Sequence, residues 1–158
     1  MVSAMNERST EASRPTSSTA AGRPALCPCG GAQPGRRPER APAYAACCGT
    51  LIDGGTPAPN AWQLMRSRYT AYVLGETAYL RATWDPATCP ADLEAGDGPR
   101  WLGLDIKRFA EQDAAHAVVE FVARYKDGSR AHRLHETSRF SRDEHGIWRY
   151  IDGNVSER

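Results

Sequence analysis

The chain contains no apolar run of the ~18 residues that a transmembrane helix needs. Neither sign of charge is in excess: 20 Lys and Arg stand against 19 Asp and Glu, for a formal net charge of +1. That argues against a whole-molecule field for grasping nucleic acid and leaves only a local patch. No Gly-rich phosphate loop, Ser-His-Asp array, His-x-x-x-His pair or internal repeat is present, so phosphate cradles, triads and paired-histidine metal sites have no foothold. The first 25 residues lack the continuous apolar stretch of a secretory signal. Their Ser, Thr and Ala content reads as a disordered tail over 1–25. A transit peptide is the alternative, and Glu7 and Glu11 count against it. The expected compartment is the cytoplasm, where thiols stay reduced.

Cysteine is scarce, five in 158 residues, yet four lie at the two ends of one 22-residue stretch, "CPCGGAQPGRRPERAPAYAACC". Adjacent Cα atoms are about 3.8 Å apart, and a relaxed disulfide wants at least about 4.4 Å. Cys47–Cys48 is therefore a poor bridge, and cross-pairing needs an oxidising compartment that nothing signals. Zinc accounts for the pattern better, since four thiolates at about 2.3 Å complete a tetrahedron without special redox conditions. Cys27 and Cys29 supply two sulfurs from one turn stiffened by Pro28, and Cys47 and Cys48 supply the other two. Four protein ligands leave no open position, which favours a structural zinc over a catalytic one. The alternative of scattered free thiols stands beside it. Cys89 sits alone and receives no role.

After the turn-rich "LIDGGTPAPN", Asn60 can cap a helix in which Trp62, Met65, Tyr69, Tyr72 and Val73 share one face. Gly75 ends it, and 76–84 reads as a shorter helix stopped by Pro86 and Pro90. The period then changes. Residues 101–109 alternate, and 116–125 places Val119, Phe121, Ala123 and Tyr125 on one face. A hairpin signal follows at Asp127-Gly128. Residues 130–142 place Leu134, Glu136, Ser138 and Phe140 on one side, and "IWRYID" closes the set. Helices followed by an antiparallel meander make an α+β architecture.

The stretch "CPCG…YAACCG" resembles the SEC-C motif, a short zinc-binding segment found at the end of the SecA translocation motor and in many small bacterial proteins. The resemblance makes Cys27, Cys29, Cys47 and Cys48 the ligands. The linker here, Gly30 to Ala46, is 17 residues, about twice the family's usual length, and its Pro/Arg-rich "AQPGRRPER" reads as a loop free to bulge out. Together with "LMRSRYTAYVLGETAYLRATW", "WLGLDIKRF", "VEFVARYKDG" and "LHETSRFSRDEHGIWRYIDG", the motif is similar to the YchJ family. These are small bacterial proteins of unknown function in which a SEC-C segment precedes a nuclear-transport-factor-2-like (NTF2-like, cystatin-like) cone. The resemblance covers roughly 26–154. It implies a zinc-binding segment over 26–50, a linker over 51–60 and an NTF2-like domain over 61–154.

Cones of this type often enclose a pocket, but fold alone assigns no function. Arg68, Tyr69, Glu136, Ser138 and Trp148 are the expected pocket residues. Glu136, a carboxylate among apolar neighbours, is a candidate acid or base. Glu120, between Val118 and Val122, could join it if both lay on one concave face. The structural alternative is an ion pair from Glu136 to Arg66 or Arg68. Two functions follow. In the first, an adaptor docks a protein or ribosome-associated partner through its zinc segment, with Arg36, Arg37 and Arg40 as a basic patch. The resemblance adds that SEC-C segments in translocation proteins are implicated in binding a chaperone and ribosomes. In the second, a hydrolase or isomerase uses Glu136 or Glu120. A small ligand in the cone fits either, no membrane partner is expected, and the fold class leaves room for an oligomer through an open sheet face.

Overall fold

The computed structural model describes residues 22–96 and 98–157. The expected disordered tail, 1–25, lies almost wholly outside the described residues. A single 3-10 turn, Tyr44–Ala46, leads into helix α1, Cys48–Ile52. Helices α2 (Ala61–Leu74) and α3 (Thr77–Ala82) follow, then strands β1 (Arg100–Asp113), β2 (His116–Asp127), β3 (Arg130–Arg142) and β4 (Trp148–Glu157). The strands form one antiparallel meander in the order β1-β2-β3-β4. No helix among the described residues is long and apolar enough to cross a membrane.

Local chemistry sets the ends of α2. The Asn60 side chain accepts from the Gln63 N–H at 2.8 Å, satisfying one of the orphan amides of the first turn. At the other end Gly75 adopts φ 75°. The Glu76 N–H then returns to the Ala71 carbonyl at 2.8 Å, closing a Schellman motif. Between them the helix buries more than one stripe. Leu64, Met65 and Tyr69 are buried, and so are Ser67, Arg68 and Thr70. Val73, expected on the apolar face, is instead 36% exposed. The helix lies between the cysteine segment and the sheet, so polar positions on its flanks are covered while Val73 points away from both.

Alternation places Val119, Phe121 and Ala123 of β2 on the covered face of the sheet, with Leu104 and Ile106 of β1 and Ser138 and Phe140 of β3. Three register shifts in β1 curve the sheet around α2. Both outer strands outrun the alternating stretches of sequence: β1 continues to Asp113 and β4 to Glu157. Gly128 takes φ 65° at the first position of the two-residue β2–β3 loop, where a tight hairpin wants a left-handed residue. The outer face carries the ion pairs of Arg124 with Asp105, Arg108 with Glu120 and Arg139 with Asp152, and His135 is hydrogen-bonded to Glu120. The exposed Arg139–Asp152 pair contributes little to stability, because water screens it.

The cysteine segment has no separate core. Its four cysteines, Ala32 and Tyr44 belong to one buried cluster with Leu64, Met65, Ile106 and Phe140. The Pro/Arg-rich loop does not bulge free, as its length and composition led us to expect. It turns back on itself at Gln33 and Arg36, and the Gly35 N–H donates to the Ile106 carbonyl at 2.9 Å on the edge of β1. Arg66 reaches the Ala32 carbonyl at 3.2 Å, and Arg37 approaches Asp105 at 3.5 Å. An edge strand offers unpaired backbone groups, and the loop uses one of them.

Candidate functional site

Two sites stand out, one on each side of α2. In the first, the sulfurs of Cys27, Cys29, Cys47 and Cys48 all lie within 4.8 Å of one another. Bonds of about 2.3 Å to a tetrahedral ion place sulfurs about 3.8 Å apart, and Cys29 and Cys47 stand at 3.6 Å. The turns that bring them together depend on small residues. Gly31 adopts φ 76° under Pro42, and a Cβ at Gly49 would strike the carbonyl and ring of Tyr44. The Tyr44 hydroxyl donates to Asp53 at 2.9 Å, and Arg23 bridges Asp53 and Glu76, both at 2.7 Å.

The sulfurs also have donors of their own. The Gly31 N–H points at Cys29 Sγ at 3.2 Å. The Thr70 hydroxyl, on α2 and fully buried, donates to Cys48 Sγ at 3.2 Å and lies 3.8 Å from Cys27 Sγ. Four thiols packed this closely cannot all ionise without a cation. Hydrogen bonding among the thiols, first of all from Cys29, draws Cys27 below the ordinary thiol range, and hydrogen bonding to Cys27 with burial pushes Cys29 and Cys48 above it. The donor set, spacing and amide and hydroxyl support fit a tetrahedral metal ion, whose charge would allow all four sulfurs to be thiolates.

The second site is a cavity of about 170 Å³ between α2 and the covered face of the sheet. Its floor holds Glu136, 9% exposed, and Ser138, 1% exposed. The Ser138 hydroxyl donates to Glu136 Oε2 at 2.6 Å, and the Tyr150 hydroxyl donates to the same oxygen at 2.8 Å. Among the described residues, Oε1 receives no donor and no ion pair involves Glu136. Burial, and then the carboxylate's charge, push the Tyr150 phenol above its ordinary range, so it stays a donor. Across β4, Gly153 leaves the space that the Glu136 carboxylate occupies, and a Cβ there would clash with it.

Arg68 shares this cavity without clamping Glu136. Its guanidinium donates to the Leu80 carbonyl at 2.9 Å and to Thr83 Oγ1 at 2.7 Å, at the C-terminal end of α3, where positive charge is favoured. The rings of Trp84 and Tyr150 flank it at 4.8 and 4.6 Å. Arg66 is engaged elsewhere, over Trp62 at 5.0 Å. The ion pair considered from sequence, Glu136 to Arg66 or Arg68, is therefore replaced by two hydroxyl donors. Burial pulls the Arg68 guanidinium down from its ordinary value and pushes Tyr69 up to about 12.

Of the residues expected to line a pocket, Arg68, Tyr69, Glu136 and Ser138 meet here. Trp148 does not. It lies beyond Phe140 toward the β3–β4 turn, buried in the core, with Arg142 over its ring at 5.8 Å. Glu120 is also elsewhere. Register pairs Glu120 with Thr137 and Phe121 with Glu136, so the two carboxylates sit on opposite faces and cannot form an acid–base pair. Glu120 is held on the outer face by His135 at 2.7 Å. From sequence, Trp148 and Tyr150 both read as core or pocket wall; Tyr150 lines the cavity and Trp148 is core. Sequence reasoning did not name Trp84 or Trp101 as wall residues, nor Thr70 beside the sulfurs.

The fold and the two sites define a class: an NTF2-like α+β domain with a SEC-C cysteine cluster packed on its long helix. A family model described as "YchJ, middle NTF2-like domain" matches residues 60–153. A UPF0225 protein of Ralstonia nicotianae is 55% identical over 143 residues, spanning 84% of this chain and 92% of the relative. One from Cupriavidus metallidurans is 53% identical over 139 residues, spanning 85% and 92%. Among solved structures, a SEC-C motif containing protein from Rhodopseudomonas palustris superposes with TM-score 0.66 at 30% identity, covering 73% of this chain and 94% of that one. Another, from Psychrobacter arcticus, gives 0.64 at 29%, covering 83% and 82%. The chain belongs to the YchJ family.

Proposed function

We propose that the protein is a binder of small molecules, with the aromatic cavity as its working site and a structural zinc ion as its staple. The observation that carries this reading is the environment of Glu136. A buried carboxylate held only by neutral hydroxyls costs stability unless something else compensates for it. Placing one at the floor of a cavity makes sense if a ligand meets it there. Tyr72, Trp84 and Trp101 at the half-buried rim, with Phe121 and Phe140 below, supply an apolar body of the kind such sites use. The zinc assignment is supported by four buried sulfurs, which leave no open ligand position and so favour a structural role over catalysis. Acid–base turnover by a carboxylate pair is disfavoured because Glu120 lies across the sheet.

Fragment screening by amide NMR on the metal-loaded full chain tests the reading. Hits should shift signals from Arg68, Tyr69, Glu136 and Ser138 together and quench the Trp84 and Trp101 indoles. A library that leaves these residues unmoved refutes it. A second reading, docking of a protein or ribosome-associated partner, draws on Arg36 and Arg40, which remain exposed on a loop pinned to β1. Charge reversal at both should then abolish a salt-sensitive association with ribosomes in sedimentation. Unchanged sedimentation removes that reading.

A further inference from the structure

Resting on the small-molecule reading, we infer that the cavity selects a compact organic cation: a single-ring-sized molecule carrying a protonated amine whose N–H groups meet Glu136 Oε1.

Size sets the first limit. About 170 Å³ is near the engineered cavities of about 150 Å³ that admit benzene, so one ring with a short polar arm fills it. Charge sets the second. Glu136 brings a negative charge, and its two donors, Ser138 and Tyr150, are neutral and both engage Oε2. Oε1, with no donor among the described residues, is left as the open acceptor of a residue that lines the cavity. Arg68 lies in the same wall, but its Nη1 is committed to Leu80 and Thr83, and its guanidinium is flanked by Trp84 and Tyr150. It moderates the potential from a distance without occupying the carboxylate. Ring faces set the third. Trp101 makes a T-shaped contact with Tyr69 at 5.8 Å and a tilted one with Tyr72 at 6.2 Å, and all three rings line the cavity, a wall type that attracts cations. A ligand carboxylate would meet Glu136 head-on and lose by like-charge repulsion what it gained from Arg68.

Calorimetry on the metal-loaded full chain, with benzylammonium, benzyl alcohol and benzoate as probes, tests this. Benzylammonium should bind at least about tenfold tighter than benzyl alcohol, the low end for a buried charge-assisted hydrogen bond, and benzoate should bind most weakly. Glu136→Gln should abolish the preference of benzylammonium over benzyl alcohol. Ser138→Ala keeps the charge and should retain the preference, which guards against a Glu136→Gln variant that fails to fold. Benzoate binding more tightly than benzylammonium, or a preference that survives Glu136→Gln, overturns the assignment. Benzyl alcohol binding with no preference for benzylammonium defeats the cation assignment alone. If none of the three probes binds, the small-molecule reading fails with it.

Discussion

Gly153→Ala is the most revealing single substitution in the sheet. Gly153 sits on β4 opposite Ser138, and its backbone is not left-handed, so an alanine meets no dihedral penalty. Gly-to-Ala inside a regular element ordinarily stabilises by roughly 0.5–1 kcal/mol through reduced chain entropy. Here the added methyl would lie 2.7 Å from Glu136 Cδ and 2.9 Å from Cγ, with Oε2 closer still. The carboxylate must swing away and lose its bonds from Ser138 and Tyr150, worth about 1.5–3 kcal/mol each as charged hydrogen bonds. Rehydration of the displaced group offsets part of this. The expected net effect is a loss of about 2–3 kcal/mol. In a Glu136→Ala background the obstacle is gone, and the same Gly153→Ala change should gain roughly 0.5–1 kcal/mol. Urea unfolding of the four proteins, read as midpoint shifts at constant slope, measures the coupling, expected near 3 kcal/mol. A Gly153→Ala effect of the same sign and size in both backgrounds would refute the account of this floor.

Three further outcomes are expected. Cys48→Ser should abolish stoichiometric metal by elemental analysis, and strong chelation of the wild type should lower its thermal midpoint sharply, since structural zinc contributes on the order of 10 kcal/mol in isolated fingers. Thr70→Val, which keeps the shape and removes the hydroxyl beside Cys48 and Cys27, should weaken metal affinity about 10- to 100-fold in chelator competition while leaving far-UV circular dichroism unchanged. Asp143, at the β3–β4 turn, is held down to about 2 from its ordinary 3.8, first by Arg149 at 2.7 Å and then by backbone amides. Its contribution to folding is therefore present above the ordinary value and is lost as pH falls toward 2. A carboxyl NMR titration should show that low midpoint, and Arg149→Ala should move it upward.

The sulfur cluster was legible because metal ligands leave a spacing in the chain, and the meander because alternation writes itself into β2 and β3. The same alternation put Glu136 on the covered face. It also held a fact that was overlooked: a two-residue loop at Gly128–Ser129 places Glu120 opposite Thr137, which already separates it from Glu136. Other features had no local trace. Thr70 meets the sulfurs only because the cysteine segment docks on α2, and no pattern within the helix announces it. The end of β4 was missed because "GNVSE" has no apolar alternation. Gly153 is there to make room for a neighbour on another strand, and that reason lies outside its own segment. Arg68 pointed in sequence toward a carboxylate, but a carbonyl, a hydroxyl and two rings take it instead, an arrangement fixed by how α3 packs.

Helix α2 presents Thr70 to the sulfurs and, one and two residues before it, Tyr69 and Arg68 to the cavity. Adjacent residues of one rigid rod share its seating, so ion occupancy and ligand affinity should be thermodynamically linked. Linkage is reciprocal: whatever factor the ion adds to the ligand's binding constant, the ligand returns to the ion's. Equal ligand affinity in the metal-loaded and metal-stripped protein would show that the rod carries nothing. Otherwise, a cell short of the ion would lose hold of the ligand too, and an abundant ligand would slow the ion's escape.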